Sequence, residues 1–189
     1  MEGNLKSEEP APGKLLISDP FLPDPNFNRS VVFLTEHKAE GSVGFVLNKP
    51  MDFNLDEVVD FEVQQTIPLY MGGPVQQDTL HIVHKNPDVA DPNLEVINSV
   101  YWGANFEAVK IMLESGEINN EEFRFYLGYS GWGEGQLNRE IEEKSWIVTK
   151  ATHEIVFSND SETMWKEVMK EMGGKYSYLA NSPDNPQWN

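Results

Sequence analysis

Residues 30–35 (Ser-Val-Val-Phe-Leu-Thr) and 43–47 (Val-Gly-Phe-Val-Leu) are two β-branched and aromatic runs separated by a short polar stretch, 37–42, that contains Gly41. Two such runs so close in sequence pair as an antiparallel hairpin with a glycine-containing connection. Apolar residues fill nearly every position instead of every second one, so both faces of the pair must be covered and the hairpin belongs in the centre of a sheet. Any fold this chain adopts has to supply strands beside that hairpin and layers above and below it.

The rest of the chain supplies candidates for both. A short strand is expected at Leu15-Leu16-Ile17, followed by a rigid loop, because Pro20, Pro23 and Pro25 remove donors and fix φ. Asn54 with Glu57 three residues on forms a capping box, so a short helix is expected from there to about Phe61. Strands are expected at 67–71, 79–83, 94–100, 122–126, 146–148 and 154–157. Asn105 caps a better helix, with Phe106, Val109 and Leu113 on one face and Gly116 as its left-handed stop. Asn159 or Asp160 starts the last helix, whose Met164, Trp165, Val168, Met169 and Met172 read as core packing, with the close at Gly173-Gly174. Residues 1–13 read as a disordered lead-in, 14–180 as a single domain, and 181–189 as a polar tail with Trp188 as its anchor. This is an α+β domain of about eight or nine strands with three main helices packed against the sheet.

Composition narrows the chemistry. There is no cysteine among the 189 residues, which removes disulfides, thiolate metal sites and cysteine nucleophiles. The start shows no basic segment followed by an apolar run, and no stretch approaches the ~18 apolar residues of a membrane helix, so a cytoplasmic location and no membrane contact are expected. Fourteen Lys and Arg against 31 Asp and Glu give a net charge of −17, with the basic residues dispersed. That charge repels polyanions and disfavours direct DNA binding.

No catalytic constellation can be read. His81 and His84 are three apart in an expected strand, so they face opposite ways and share no metal. His37 beside Glu36 reads as a hydrogen-bonded loop histidine. The densest unusual segment is Gly128-Tyr129-Ser130-Gly131-Trp132-Gly133-Glu134-Gly135-Gln136-Leu137. It lacks the second Gly of a nucleophile elbow, since Trp132 stands there, and it lacks the third Gly of a dinucleotide loop, since Gln136 stands there. A phosphate cradle would be opposed by Glu134, Glu140, Glu142 and Glu143. The expectation is a tight turn that lets Trp132 pack across the sheet. No catalytic residue, metal or cofactor is assigned.

Several segments together resemble the AlgH/YqgE family. They are Gly13-Lys14-Leu15-Leu16-Ile17-Ser18-Asp19-Pro20, Phe27-Asn28-Arg29-Ser30-Val31-Val32-Phe33-Leu34 with Glu36-His37, Gly44-Phe45-Val46-Leu47-Asn48-Lys49-Pro50, Gly72-Gly73-Pro74-Val75, Leu80-His81 and the glycine-rich segment above all. Ser130 stands where Ala is usual, and the tail beyond Gly174 is longer than in many members. The resemblance implies a bacterial α+β protein with a largely antiparallel sheet and a proposed role in regulating transcription, alginate synthesis included. It brings no catalytic residues with it.

The motif residues fall at strand ends, where polar groups of a sheet protein can converge. The candidate ligand or partner site is therefore Arg29, Ser30, Asn48, Lys49, Gly72, Gly73, Arg124, Tyr129, Trp132 and Gln136. Against convergence stands the plainer reading that Arg29 and Arg124 pair with carboxylates and the glycines serve turns. A regulatory or binding protein acting through a small-molecule or protein partner is the favoured function. An enzyme with a site near Arg29 and residues 128–136 is the alternative.

Overall fold

The computed structural model describes residues 7–183. Its strands are β1 (Lys14–Ser18), β2 (Val31–Lys38), β3 (Gly41–Val46), β4 (Pro50–Asn54), β5 (Pro68–Met71), β6 (Val75–His84), β7 (Glu95–Ile97), β8 (Val100–Trp102), β9 (Phe123–Gly133) and β10 (Trp146–Lys150). Its helices are α1 (Phe106–Ser115), α2 (Gln136–Glu142), α3 (His153–Val156), α4 (Met164–Glu171) and α5 (Gly174–Leu179). The strands join in the order β10-β1-β2-β3-β9-β6-β8-β7, with β5 beside β9 and β4 beside β5. Every pairing is antiparallel except β5 with β9.

The β2–β3 hairpin is central and covered on both faces. Leu15, Ile17, Val31, Phe33 and Phe45 point into one core, closed by Trp165, Val168 and Met169 of α4. Leu16, Val32, Leu34 and Val46 point the other way, against Leu137 of α2, Trp146 and the Phe27 loop. Successive residues alternate between the two cores, as the two-residue period of a strand requires. A third core lies under α1, where Val109 and Leu113 meet Ile67, Leu69, Phe123 and Phe125.

β9 links these cores by changing partner along its length. Its first half pairs with β5 (Leu69 opposite Phe125) and its second half with β3 (Gly44 opposite Ser130). At the changeover Gly128 has φ +67, and a Cβ there would sit 2.7 Å from the Gly73 carbonyl oxygen and 2.8 Å from that of Val75. Only glycine tolerates both constraints. The kink also resets which side chains face which core. Phe123, Phe125 and Leu127 pack under α1, yet Tyr129 packs with Tyr126 in the α4 core.

Several elements differ from expectation for physical reasons. Residues 128–133 are strand, not a tight turn, because β3 needs an edge partner there. The helix expected from Asn54 is one 3-10 turn, Leu55–Glu57; the Glu57 carboxylate does accept from the Asn54 N–H at 3.0 Å, but only Leu55 is buried. The single strand expected over 94–100 is a hairpin, turned by Asn98 and Ser99 at φ 46 and 61. Residues 154–157 lie in and after α3 instead of a strand, because the Thr152 side chain accepts from the Ile155 N–H and caps a helical turn. Within the expected disordered lead-in, Ser7 Oγ accepts from the Val148 N–H and the Glu8 N–H donates to the Val148 carbonyl, so this stretch is tied to β10. Trp188, expected to anchor the tail, lies outside the described residues.

Candidate functional site

The ten candidate residues fall into three places. The first holds the proline loop. Arg29 sits at φ 48, a left-handed conformation unusual for a side-chain-bearing residue, and Asn48 clamps both sides of it. Asn48 Oδ1 accepts from the Val31 N–H and its Nδ2 donates to the Arg29 carbonyl, each at 2.9 Å. Lys49 Nζ donates to the carbonyls of Pro25 and Asn26, and burial pushes its ammonium below the usual lysine range against the pull of Asp24. Ser30 is buried, and its N–H donates to Ser18 Oγ at 2.8 Å. The Arg29 guanidinium lies 4.8 Å from the Trp165 ring centroid and donates to the Ser182 carbonyl. These contacts fix the loop and the segment after α5 onto the sheet.

The second place is Arg124, at the opposite end of β9. It is 3% exposed, and the four oxygens it reaches are neutral: the carbonyls of Asn120, Phe123 and Phe157 and the Asn159 side chain. Among the described residues no carboxylate pairs with it; the carbonyl of Phe157, the C-cap of α3, takes that part, as the negative end of a helix favours a cation. Its guanidinium also lies over Tyr70 and Phe157.

The third place is the glycine-rich strand. Gly72 and Gly73 cross the backbone of Gly128 and Tyr129 so closely that a Cβ on either would collide with it. The Gly72 carbonyl accepts from the Val46 N–H at 2.9 Å and from Ser130 Oγ at 3.0 Å. Trp132 is 5% exposed, stacked near Phe27 and edge-on to Trp146. Glu140, expected only to oppose a phosphate, is the hub here. One of its oxygens accepts from the indole N–H groups of Trp132 and Trp146, both at 2.8 Å, and the other accepts from Gln136 Nε2 at 2.8 Å. Gln136 Oε1 in turn accepts from the Gly133 N–H at 3.0 Å. The four-residue spacing of Gln136 and Glu140 on α2 was the available signal.

Around this strand, the tip of the β2–β3 hairpin forms a saddle with a cleft on each side. One, of about 410 Å³, is walled by Glu36, Glu40, Val75, Tyr129 and Trp132. The other, of about 460 Å³, is walled by His37, Glu134, Leu137 and Asn138. Lys38, Gly41 and Ser42 border both. His37 Nδ1 lies 2.7 Å from Ser42 Oγ, and Lys38 Nζ lies 2.6 Å from Glu36, whose carboxylate holds the ammonium above the usual lysine range. Of the ten candidates only Tyr129 and Trp132 line this saddle; Arg29, Ser30, Asn48, Lys49 and Arg124 do not.

His81 and His84 diverge as expected. His81 packs on Phe45, Trp102 and Tyr129, whereas His84 lies between Tyr101 and Phe123 with Nε2 2.9 Å from the Gly103 carbonyl. Burial holds both imidazoles below their usual range. Among the described residues no group of three or more His, Cys, Asp or Glu is placed to hold a metal, and no helix is long and apolar enough to cross a membrane.

The fold and the glycine-rich strand define an α+β protein whose concave surface is built round a kinked central strand. A family model described as AlgH-like matches residues 15–177, and the chain belongs to that family. The UPF0301 protein CT0663 of Chlorobaculum tepidum is 46% identical over 178 residues, covering 94% of this chain and 95% of that one. The solution structure of the AlgH protein from Pseudomonas aeruginosa is similar at TM-score 0.72 and 27% identity, covering 95% of this chain and 98% of that one. A crystal structure of protein DIP2367 from Corynebacterium diphtheriae shares the fold at TM-score 0.77 and 24% identity, covering 94% and 95%.

Proposed function

We propose that this protein is a cytoplasmic regulatory binding protein that acts through a small ligand or a protein partner seated in the saddle, and not through direct contact with DNA. The observation that carries the reading is the pair of clefts flanking the β2–β3 tip, where the exposed backbone of Gly131 and Gly133 and the Tyr129 ring stand beside mixed charge from Glu36, Lys38, Glu40 and Glu134. Concave surfaces with a few polar groups at an apolar wall are where ligands settle. The regulatory part of the proposal rests on the AlgH/YqgE resemblance. The −17 charge supports an indirect route, since the phosphate backbone would be repelled.

The experiment is a thermal-shift screen of polar metabolites against the wild-type chain and Gly131→Val. A Cβ at Gly131 meets the Tyr129 ring at 3.1 Å, so the valine displaces the cleft wall while leaving the strand conformation acceptable. Ligands of the cleft walled by Tyr129 and Trp132 raise the wild-type melting temperature and not that of the variant. A panel in which every hit stabilises both equally would refute the assignment to that cleft. A second reading, an enzyme, is favoured by the His37 and Ser42 contact, which has the spacing of a base and a hydroxyl nucleophile. Fluorophosphonate labelling of Ser42 that is lost in His37→Gln supports the enzyme; an unlabelled Ser42 supports the binding protein.

A further inference from the structure

A second concave surface lies away from the saddle, between residues 58–61 and the start of α1. It encloses about 420 Å³ over a floor of Leu80 and Leu127. Its walls are apolar and open to solvent: Val58 is 43% exposed and Phe106 is 44% exposed, with the Phe61 ring set edge-on to Phe106 at 6.3 Å. Exposed apolar side chains gathered in a concavity are the mark of an interaction site more than of a free surface.

The rim decides what fits. Asp60, Asp78 and Glu107 border the groove against one cation, Lys110. That ammonium lies over the Phe61 ring at 5.1 Å and 3.9 Å from Glu114, so it is already engaged. A second copy of this chain joined across a two-fold axis would set these three carboxylates against themselves, in molecules that each carry −17. An anionic membrane surface meets the same repulsion. An apolar segment flanked by Lys or Arg satisfies both the walls and the rim, because the charges complement and the anchors are buried.

We propose that this groove docks a basic amphipathic helix of a partner protein, with apolar anchors against Val58, Phe61 and Phe106 and basic residues facing Asp60, Asp78 and Glu107. The site is independent of the saddle and stands whether or not the saddle binds a ligand. It gives a strongly acidic regulator a way to select a basic partner.

The test uses the full chain and a fluorescein-labelled amphipathic Leu–Lys peptide, followed by anisotropy at about 0.15 M salt, where long-range attraction is largely screened. The triple variant Asp60→Asn, Asp78→Asn, Glu107→Gln should weaken binding by about tenfold or more, as should Phe106→Gln. A control triple of exposed carboxylates elsewhere, Glu142→Gln, Glu143→Gln and Glu162→Gln, changes the net charge equally and should bind within about twofold of wild type. Equal loss in both triples would show attraction to net charge alone and overturn the proposal, as would undiminished binding to Phe106→Gln and the groove triple. A concentration-dependent dimer that Phe106→Gln dissolves would also overturn it, by making a second copy the occupant. Melting curves establish that each variant is folded.

Discussion

Glu140→Ala should be among the most destabilising single changes outside the apolar core, although the residue is charged and only half-buried. Its carboxylate accepts from Trp132, Trp146 and Gln136, and both indoles belong to buried rings. Truncation strands two indole N–H groups, each costing roughly 1–3 kcal/mol if left unpaired, and the partial exposure of Glu140 lets water reach the site, so the lower half of that range applies. The sum is about 2–4 kcal/mol, or roughly 5–15 °C in melting temperature for a chain of this length. Glu140→Gln keeps one oxygen for the indoles but turns an N–H group toward Gln136, so it should fall between Ala and wild type. Circular dichroism melts alongside exposed Glu142→Ala provide the comparison. If Glu140→Ala melts with Glu142→Ala, the carboxylate is not the hub that fixes α2 to the glycine-rich strand.

Arg124→Met should cost about 2 kcal/mol or more by urea titration, since it leaves the carbonyls of Asn120 and Phe157 without their donor, and Arg124→Lys should recover only part of that because a single ammonium cannot reach all four oxygens that the two guanidinium NH2 groups reach. Equal midpoints for wild type and Arg124→Met would contradict the clamp. Gly128→Ala should be strained by its φ of +67 and by two carbonyl oxygens, and should lower the melting temperature well beyond the exposed control Gly133→Ala. Burial holds His81 and His84 low, so the unfolded chain takes up protons first: stability is full above the unfolded value of about 6.5 and declines as pH falls below it. Urea midpoints between pH 8 and 5.5 should show that acid-side decline and should flatten in a His81→Asn, His84→Asn double variant; an unchanged slope would remove the histidines from the account.

What could be read in advance was what local pattern decides. The β2–β3 hairpin announced itself by density of β-branched and aromatic residues, and α1 by its cap, its apolar period and Gly116. Residues 154–157 misled because Ile155, Val156 and Phe157 carry strand propensity, while the outcome hung on one Thr152 hydroxyl. The β7–β8 turn was hidden because Asn98 and Ser99 adopt left-handed conformations without a glycine to mark them. The glycines at 128–133 were visible but their role was not, since it depends on Gly72 and Gly73 arriving from the β5–β6 connection, distant in sequence. The same holds for the site: Arg29, Asn48 and Lys49 are polar and lie at strand ends, yet the groups they reach include backbone carbonyls of the proline loop and of Ser182 and the Trp165 ring of α4, which only the tertiary fold brings near. Glu140 gained its meaning from Trp132 and Trp146 in the same way.

The saddle is tested most directly by amide chemical-shift mapping. A ¹⁵N-labelled sample of the full chain would be titrated with the best stabilising metabolite from the thermal screen. Saturable shifts are expected to centre on Lys38, Gly41, Ser42, Gly131 and Gly133, with the amides around Arg124 and Lys49 unmoved. Shifts centred on Arg29 and Lys49, or spread evenly over the sheet, would contradict the saddle as the binding site.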